Sequence, residues 1–360
     1  MKRLLASAVI TGALVQAPAH ADNLDDLVSK MDFTFGGYGT AGIVHTNTDQ
    51  AEFIRGAETG GANRSYRANI DSNLGVQASA RFASWIGITA QVLADRDTMT
   101  NDLSWLYLKL DPLESLSFKL GRFEAPLFAI SDSRDINYAN TWIRPPQEVY
   151  GLASFEEVKG GEGTYTLPIA ATRLKITGYA GEGKWALNTG RTGNSVNLRG
   201  GELRWETDWV TLRGSYASMN NDIGGGLKPK YEFAGYGAIF DRNNIVAQAE
   251  LVRRIGPGPL DFIVAAKAWY VLAGYRFGKV LPYATFATTH KEFPGAFALS
   301  YNQATKALGV RWDAFKSADL KLQVEQVDPK GTPGISFVNV QPGFGNSKVN
   351  VVSLALDFVF

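Results

Sequence analysis

The final strand-like run constrains this chain more than any other feature. From Lys348 to Phe360, Val352, Leu354, Leu356, Phe358 and Phe360 share one face, and Val351, Ser353, Ala355, Asp357 and Val359 share the other. A period of two is that of a strand, whose successive side chains point to opposite sides. A long strand with one continuous apolar face is an aggregation hazard if left as an open sheet edge. Closing the sheet into a barrel removes that edge altogether.

The same period recurs along the chain in runs of about ten residues, the length a tilted strand needs to cross a bilayer. One run sets Leu74, Val76, Ala78, Ala80 and Phe82 against Asn69, Asp71, Asn73, Gln77, Ser79 and Arg81. Others set Ile86, Ile88, Ala90 and Val92 against Thr89 and Gln91, and Leu320, Leu322 and Val324 against Lys321, Gln323 and Glu325. One face suits lipid and the other water. Connections alternate between tight turns (Ala83-Ser84, Asp111 to Glu114, Glu206 to Asp208, Asp241 to Asn244, Gly278-Lys279) and long Gly-, Asn- and Pro-rich segments (Asn47 to Asn63, Gly181 to Asn197, Asn220 to Lys230, Asp328 to Ser347). That asymmetry is expected of short periplasmic turns and longer extracellular loops. Counting from Met31 predicts an all-β, transmembrane antiparallel β-barrel of about sixteen strands. Trp85, Trp205, Trp209, Trp312 and Phe315 flank the tight turns, where amphipathic rings anchor at headgroup level.

The other end predicts export. Lys2 and Arg3 precede an apolar run from Leu4 to Val15 and the small-residue site Ala19-His20-Ala21, the pattern of a cleaved signal peptide over 1–21. A short segment, 22–30, then leads to a barrel over 31–360. Without Lys2 and Arg3 the chain carries 34 basic and 35 acidic side chains, a formal net charge of −1, so no nucleic-acid partner is expected. Phe262 to Tyr275, the best apolar helix candidate, is short and interrupted by Lys267. There is no cysteine, which removes disulfides and thiolate chemistry. No cofactor is expected, because the sequence holds neither a Gly-rich phosphate loop nor a metal-ligand spacing.

One segment breaks the alternation. From about Glu124 to Glu156, after the fifth predicted strand and before the sixth, the chain is rich in Asp, Arg, Pro and aromatic residues. Long stretches without regular structure usually have a function. In its signal peptide, alternating strands, turn asymmetry, position of this long segment and terminal Phe360, the chain resembles the Gram-negative, sixteen-stranded general porins. Leu354, Leu356, Phe358 and Phe360 also resemble the C-terminal assembly signal of outer-membrane barrels. The likeness is architectural, because the Pro-Glu-Phe-Gly-Gly signature of the general-porin loop is replaced by Phe123-Glu124-Ala125-Pro126-Leu127-Phe128.

The resemblance implies a loop over 124–156 folded into the lumen, with loop carboxylates facing basic residues across a constriction. Candidates on the loop are Glu124, Asp132, Asp135 and Glu148, and on the wall Arg67, Lys109, Lys119, Arg173 and Lys175. It implies a homotrimer in the outer membrane, inserted by the barrel assembly machinery, in contact with membrane lipid and lipopolysaccharide, and passing small hydrophilic solutes and ions passively. Three alternatives differ in chemistry. Phe123, Tyr138, Trp142 and Tyr150 would form a stacking track in a saccharide-selective channel. His45 near Asp49, or His290 near Glu292, would form the rim dyad of a barrel enzyme, although the expectation here is no enzyme. Pro-rich loops such as Ile255 to Pro259 would serve an adhesin or receptor.

Overall fold

The computed structural model describes residues 31–360 apart from 57, 96–100, 154, 156, 187–191, 257–264, 293–301 and 331–332. The expected signal peptide and the segment 22–30 lie outside the described residues. Sixteen strands form a closed antiparallel barrel: β1 (Asp32–Thr46), β3 (Asn73–Ala83), β4 (Ile86–Asp95), β5 (Asn101–Leu113), β6 (Leu116–Glu124), β7 (Glu157–Ile169), β8 (Thr172–Ala186), β9 (Thr192–Glu206), β10 (Val210–Asn221), β11 (Lys230–Arg242), β12 (Ile245–Ile255), β13 (Ala266–Tyr275), β14 (Val280–Lys291), β15 (Gln303–Trp312), β16 (Ala318–Asp328) and β18 (Val349–Val359). Each pairs with its sequence neighbour among these, and β1 closes the ring on β18. The short strands β2 (Glu52–Phe53) and β17 (Phe337–Val338) pair with each other in two of the long loops. No helix among the described residues is long and apolar enough to cross a membrane. Strands do not need one, because closure lets every ladder bond be made within the barrel.

The alternation read from the sequence is the inside-outside partition of the barrel. Val352, Leu354 and Leu356 are exposed on the outer surface, while Val351, Ser353, Ala355 and Asp357 are buried on the inner one. Leu322 and Val324 face outward against inward Lys321, Gln323 and Glu325. The tight turns bear exposed Trp85, Trp205, Trp209, Trp312 and Phe315. The two-residue turn between β11 and β12 places both Asn243 and Asn244 at positive φ, 52° and 68°. A type I′ hairpin requires that conformation, and Asn tolerates it. At the closure, the ring of Phe360 packs over Gly37 so closely that a Cβ there would lie 2.3 Å from its Cζ. Phe358 occupies the same place over Gly39.

One boundary is corrected. The expected loop from Gly181 to Asn197 is mostly strand, since β8 runs on to Ala186 and β9 begins at Thr192. Glycine-rich text there reads as loop, yet Gly181 is needed in the strand because a Cβ would lie 2.2 Å from the Lys159 carbonyl oxygen on β7. Above β1, β16 and β18 the loops fold inward on a small apolar cluster that includes Val44, Phe53, Ile70, Phe337, Phe344 and Val351.

Candidate pore and its lumen loop

The segment between β6 and β7 does enter the barrel, and specific bonds fix its path. Arg213 on β10 donates from Nη1 to the Leu127 carbonyl at 3.0 Å and from Nη2 to the Pro126 carbonyl at 2.9 Å. Ser215, also on β10, donates to the Leu127 carbonyl at 2.8 Å. The Ala129 amide then donates to Glu250 Oε2 on β12 at 2.8 Å. A few residues later the Asp135 carbonyl accepts from Asn73 on β3 at 2.9 Å, and Asn137 donates to Thr40 on β1 at 2.9 Å. β12 and β1 are separated by β13, β14, β15, β16 and β18 around the ring. Residues 129–137 therefore cross the lumen as a bar.

Beyond the bar the chain doubles back along the wall from β18 to β12. Lys321 on β16 donates to the Asn137, Asn140 and Trp142 carbonyls at 2.6, 2.8 and 3.1 Å, and pairs with Asp357 at 2.8 Å. Arg311 on β15 donates to the Tyr138 and Asn140 carbonyls at 2.7 and 2.8 Å. Arg144 is bidentate to Asp71, at 2.9 and 2.5 Å, pairs with Glu325 on β16, and donates to Ser353 on β18 at 2.6 Å. The one-turn helix α1 (Gln147–Tyr150) starts after Pro146 and is wholly buried. Its Tyr150 hydroxyl donates to Glu250, which also accepts from Tyr270 at 2.8 Å. Arg254 on β12 closes the path by donating to the Leu152 carbonyl at 2.9 Å. Charge-assisted bonds are the stronger ones, and an irregular backbone with no ladder of its own needs such partners when it is buried.

These tethers sort the expected residues. Asp132, exposed on the bar, lies within electrostatic reach of Lys119 on β6, Glu162 on β7 and Arg204 on β9. Lys119 pairs with Glu162 at 2.9 Å, and Arg204 with Glu202 at 3.0 Å. Arg134 joins the acidic side of the bar, 3.8 Å from Glu124 and 3.7 Å from Asp135. Glu124 is the last residue of β6 and mostly buried. Lys109 on β5 pairs with Asp111 at 3.1 Å, and Arg173 and Lys175 on β8 both approach Glu206, at 3.7 and 3.0 Å. These three cations lie close to tight turns, so they stand at the turn-side end of the barrel.

Two further expected site residues depart from expectation. Glu148 does not face open lumen: it is 1% exposed and accepts hydrogen bonds from Gln303, at 2.8 Å, and Thr305 on β15. Arg67 lies in the first long loop, its backbone bridged to Val44, and is exposed at the rim rather than on the wall. The aromatic track is also rearranged. Phe123, Trp142 and Tyr150 are buried in the core under the loop, and Tyr138 stacks on the Arg311 guanidinium at 5.2 Å. Sequence reasoning missed Arg204, and it missed Arg144, Arg213, Glu250 and Arg254, whose partners are far away in the chain. His45 and His290 lie apart, on β1 and β14, with His45 against the Tyr66 ring at 4.9 Å and His290 Nε2 3.1 Å from Thr288 Oγ1. Among the described residues no group of His, Cys, Asp and Glu is arranged to hold a metal ion.

This arrangement defines a class of fold, the porin-like closed β-barrel with a segment folded into its lumen, and comparison with solved structures agrees at that level. The chain is similar to Salmonella typhi OmpF, solved in complex with daunomycin, with a TM-score of 0.61 at 12% identity over 92% of this chain and 99% of that one. It is similar to the outer membrane channel DcaP of Acinetobacter baumannii, with a TM-score of 0.61 at 11% identity over 92% and 98%. OmpT, an outer membrane protein of Vibrio cholerae, aligns with a TM-score of 0.59 at 12% identity over 92% and 98%. No protein-family model matches the chain, and no curated protein is significantly similar to it in sequence. The chain thus has the fold of outer-membrane porins and channels, with a sequence far from any of these three.

Proposed function

We propose that the chain forms a water-filled channel in the outer membrane for passive diffusion of small hydrophilic solutes and ions, and that it is not an enzyme. The observation that carries this reading is the bar at 129–137, which divides the lumen of a closed sixteen-stranded barrel and brings Asp132 within electrostatic reach of Lys119 and Arg204. A barrel of this size is wide enough to leave an aqueous path beside a folded-in segment. Charges of both signs beside such a path favour small hydrated solutes over large or apolar ones. The burial of Phe123, Trp142 and Tyr150 supports a general channel over a saccharide track. The reading includes a homotrimer, supported by the solution of OmpT of Vibrio cholerae in a trimer form.

Single-channel recording in a planar bilayer tests it. Stepwise conductance in groups of three, a reversal potential in a KCl gradient and no interruption by added oligosaccharides are expected. Saccharide block would replace the general channel by a selective one, and an absence of conductance would defeat the pore reading.

A further inference from the structure

Beyond the bar, between the lumen segment and the wall, lies a small cavity of ≈ 20 Å³. Trp142, Arg144 and Glu148 of the segment line one side, and Thr285 and Ala287 on β14 and Glu325 on β16 line the other. The polar groups around it are unequally served. Trp142 is 2% exposed, yet its indole Nε1 has no hydrogen-bond partner in the protein, and neither has the buried Oγ1 of Thr285. A buried donor left unpaired is destabilising. Acceptors are in excess, because the one guanidinium of Arg144 stands among three carboxylates, those of Asp71, Glu325 and Glu148. Glu148 is held by neutral donors, Gln303 at 2.8 Å and Thr305. Glu325 pairs with Arg144 and hydrogen-bonds with Gln323. An ionised carboxylate offers about four acceptor positions, so both keep lone pairs free.

Two unpaired donors and two acceptors with capacity to spare, around one small space, are the complement of a single kind of molecule. Water has two lone pairs with which to accept and two hydrogens to donate, and a buried water typically makes about three such bonds. Roughly 10–15 Å³ of free space is enough to hold it. A bare cation or an ammonium would suit the carboxylates but has no lone pair for the indole N–H. An anion would face two carboxylates. We propose that the cavity binds one structural water, which accepts from Trp142 Nε1 and Thr285 Oγ1 and donates to Glu148 and Glu325. The water clasps the lumen segment to β14 and β16 beside the Arg144 ion pairs, and it completes a polar network that the side chains alone leave unfinished. Its site is inside the barrel and is independent of the channel reading, so a failure of conductance leaves it standing.

Crystals of the full chain folded in detergent, diffracting well enough to place solvent, provide the first test. One density peak is expected in the cavity, at about 2.5–3.2 Å from Trp142 Nε1, Thr285 Oγ1 and at least one of the two carboxylates. A cavity with no peak would overturn the proposal. So would a peak that gains anomalous scattering after a rubidium soak, which would assign the site to a monovalent cation. Substitution provides a second, independent test. Thr285→Val keeps the side-chain shape and loses the hydroxyl, and Trp142→Phe loses the N–H. Each removes one partner of the same water, so the two losses in the urea midpoint should combine to less than their sum, with heat-modifiable mobility confirming that each variant folds. Thr289→Val removes another buried hydroxyl of β14, outside the cavity, and should add fully to Trp142→Phe. Simple additivity of Thr285→Val with Trp142→Phe, or equal coupling of Thr289→Val, would show that the two unpaired atoms do not share a water.

Discussion

The two halves of the barrel wall use the same kind of residue in opposite ways. From β10 to β18 the inward charges are buried tethers: Arg213 is 5% exposed and Lys321 0%, and each spends its donors on loop carbonyls or buried carboxylates. From β5 to β9 the carboxylates Glu162 and Glu202 are also buried, but the inward cations keep more of their surface open, as with Lys175, whose side chain is 37% exposed, and Arg173, at 65%. The two sets are indistinguishable by residue type. What separates them is which side of the bar they stand on, so the lumen loop decides which wall cations are buried as tethers and which stay open to the lumen.

The largest effect is expected from Arg144→Ala, which would strand Asp71 and Glu325 without their cation. Removing one partner of a buried ion pair costs about 3–5 kcal/mol. The urea midpoint of unfolding should fall steeply, and conductance should rise as the loop leaves the wall; unchanged values for both would end the distinction between the halves. Lys321→Met comes next, losing three carbonyl contacts and the Asp357 pair, and should raise open-channel noise with a smaller loss of stability. On the other half, Asp132→Lys should leave the unfolding midpoint in place while moving the reversal potential towards anion preference. Lys119→Gln with Arg204→Gln should move it the opposite way. A stability loss there as large as that of Arg144→Ala would erase the comparison. Glu148→Gln should have the smallest effect, about 1 kcal/mol or less, because an amide oxygen can still accept from Gln303 and Thr305.

Much of this architecture was legible in residue order. The period of two in 348–360 and 318–328 gave the inward and outward faces directly, because burial in a barrel follows the pleat. The place of the lumen segment followed from counting strands up to Glu124. The roles of individual charges did not follow. Arg144 finds Asp71 at a sequence separation of 73 and Glu325 at 181, so nothing near it in the chain announces a tether. Glu148 and Asp132 are both acids in one irregular segment, and only the fold puts one under β15 and the other on the open side of the bar. Gly181 misled because glycine marks turns and also close strand contacts.

The tethers also bear on the order of assembly. The segment that narrows the bore is made before β7, yet it is clasped by Lys321, Glu325 and Ser353, the last of these 209 positions downstream of Arg144. Contacts that long in sequence form late, since the intervening chain must first be brought together. The seam between β1 and β18, with Phe358 and Phe360 seated over Gly39 and Gly37, closes on the same final residues. Calibration of the opening and completion of the cylinder therefore coincide, and a chain halted before its last two strands would have neither a finished wall nor a set aperture.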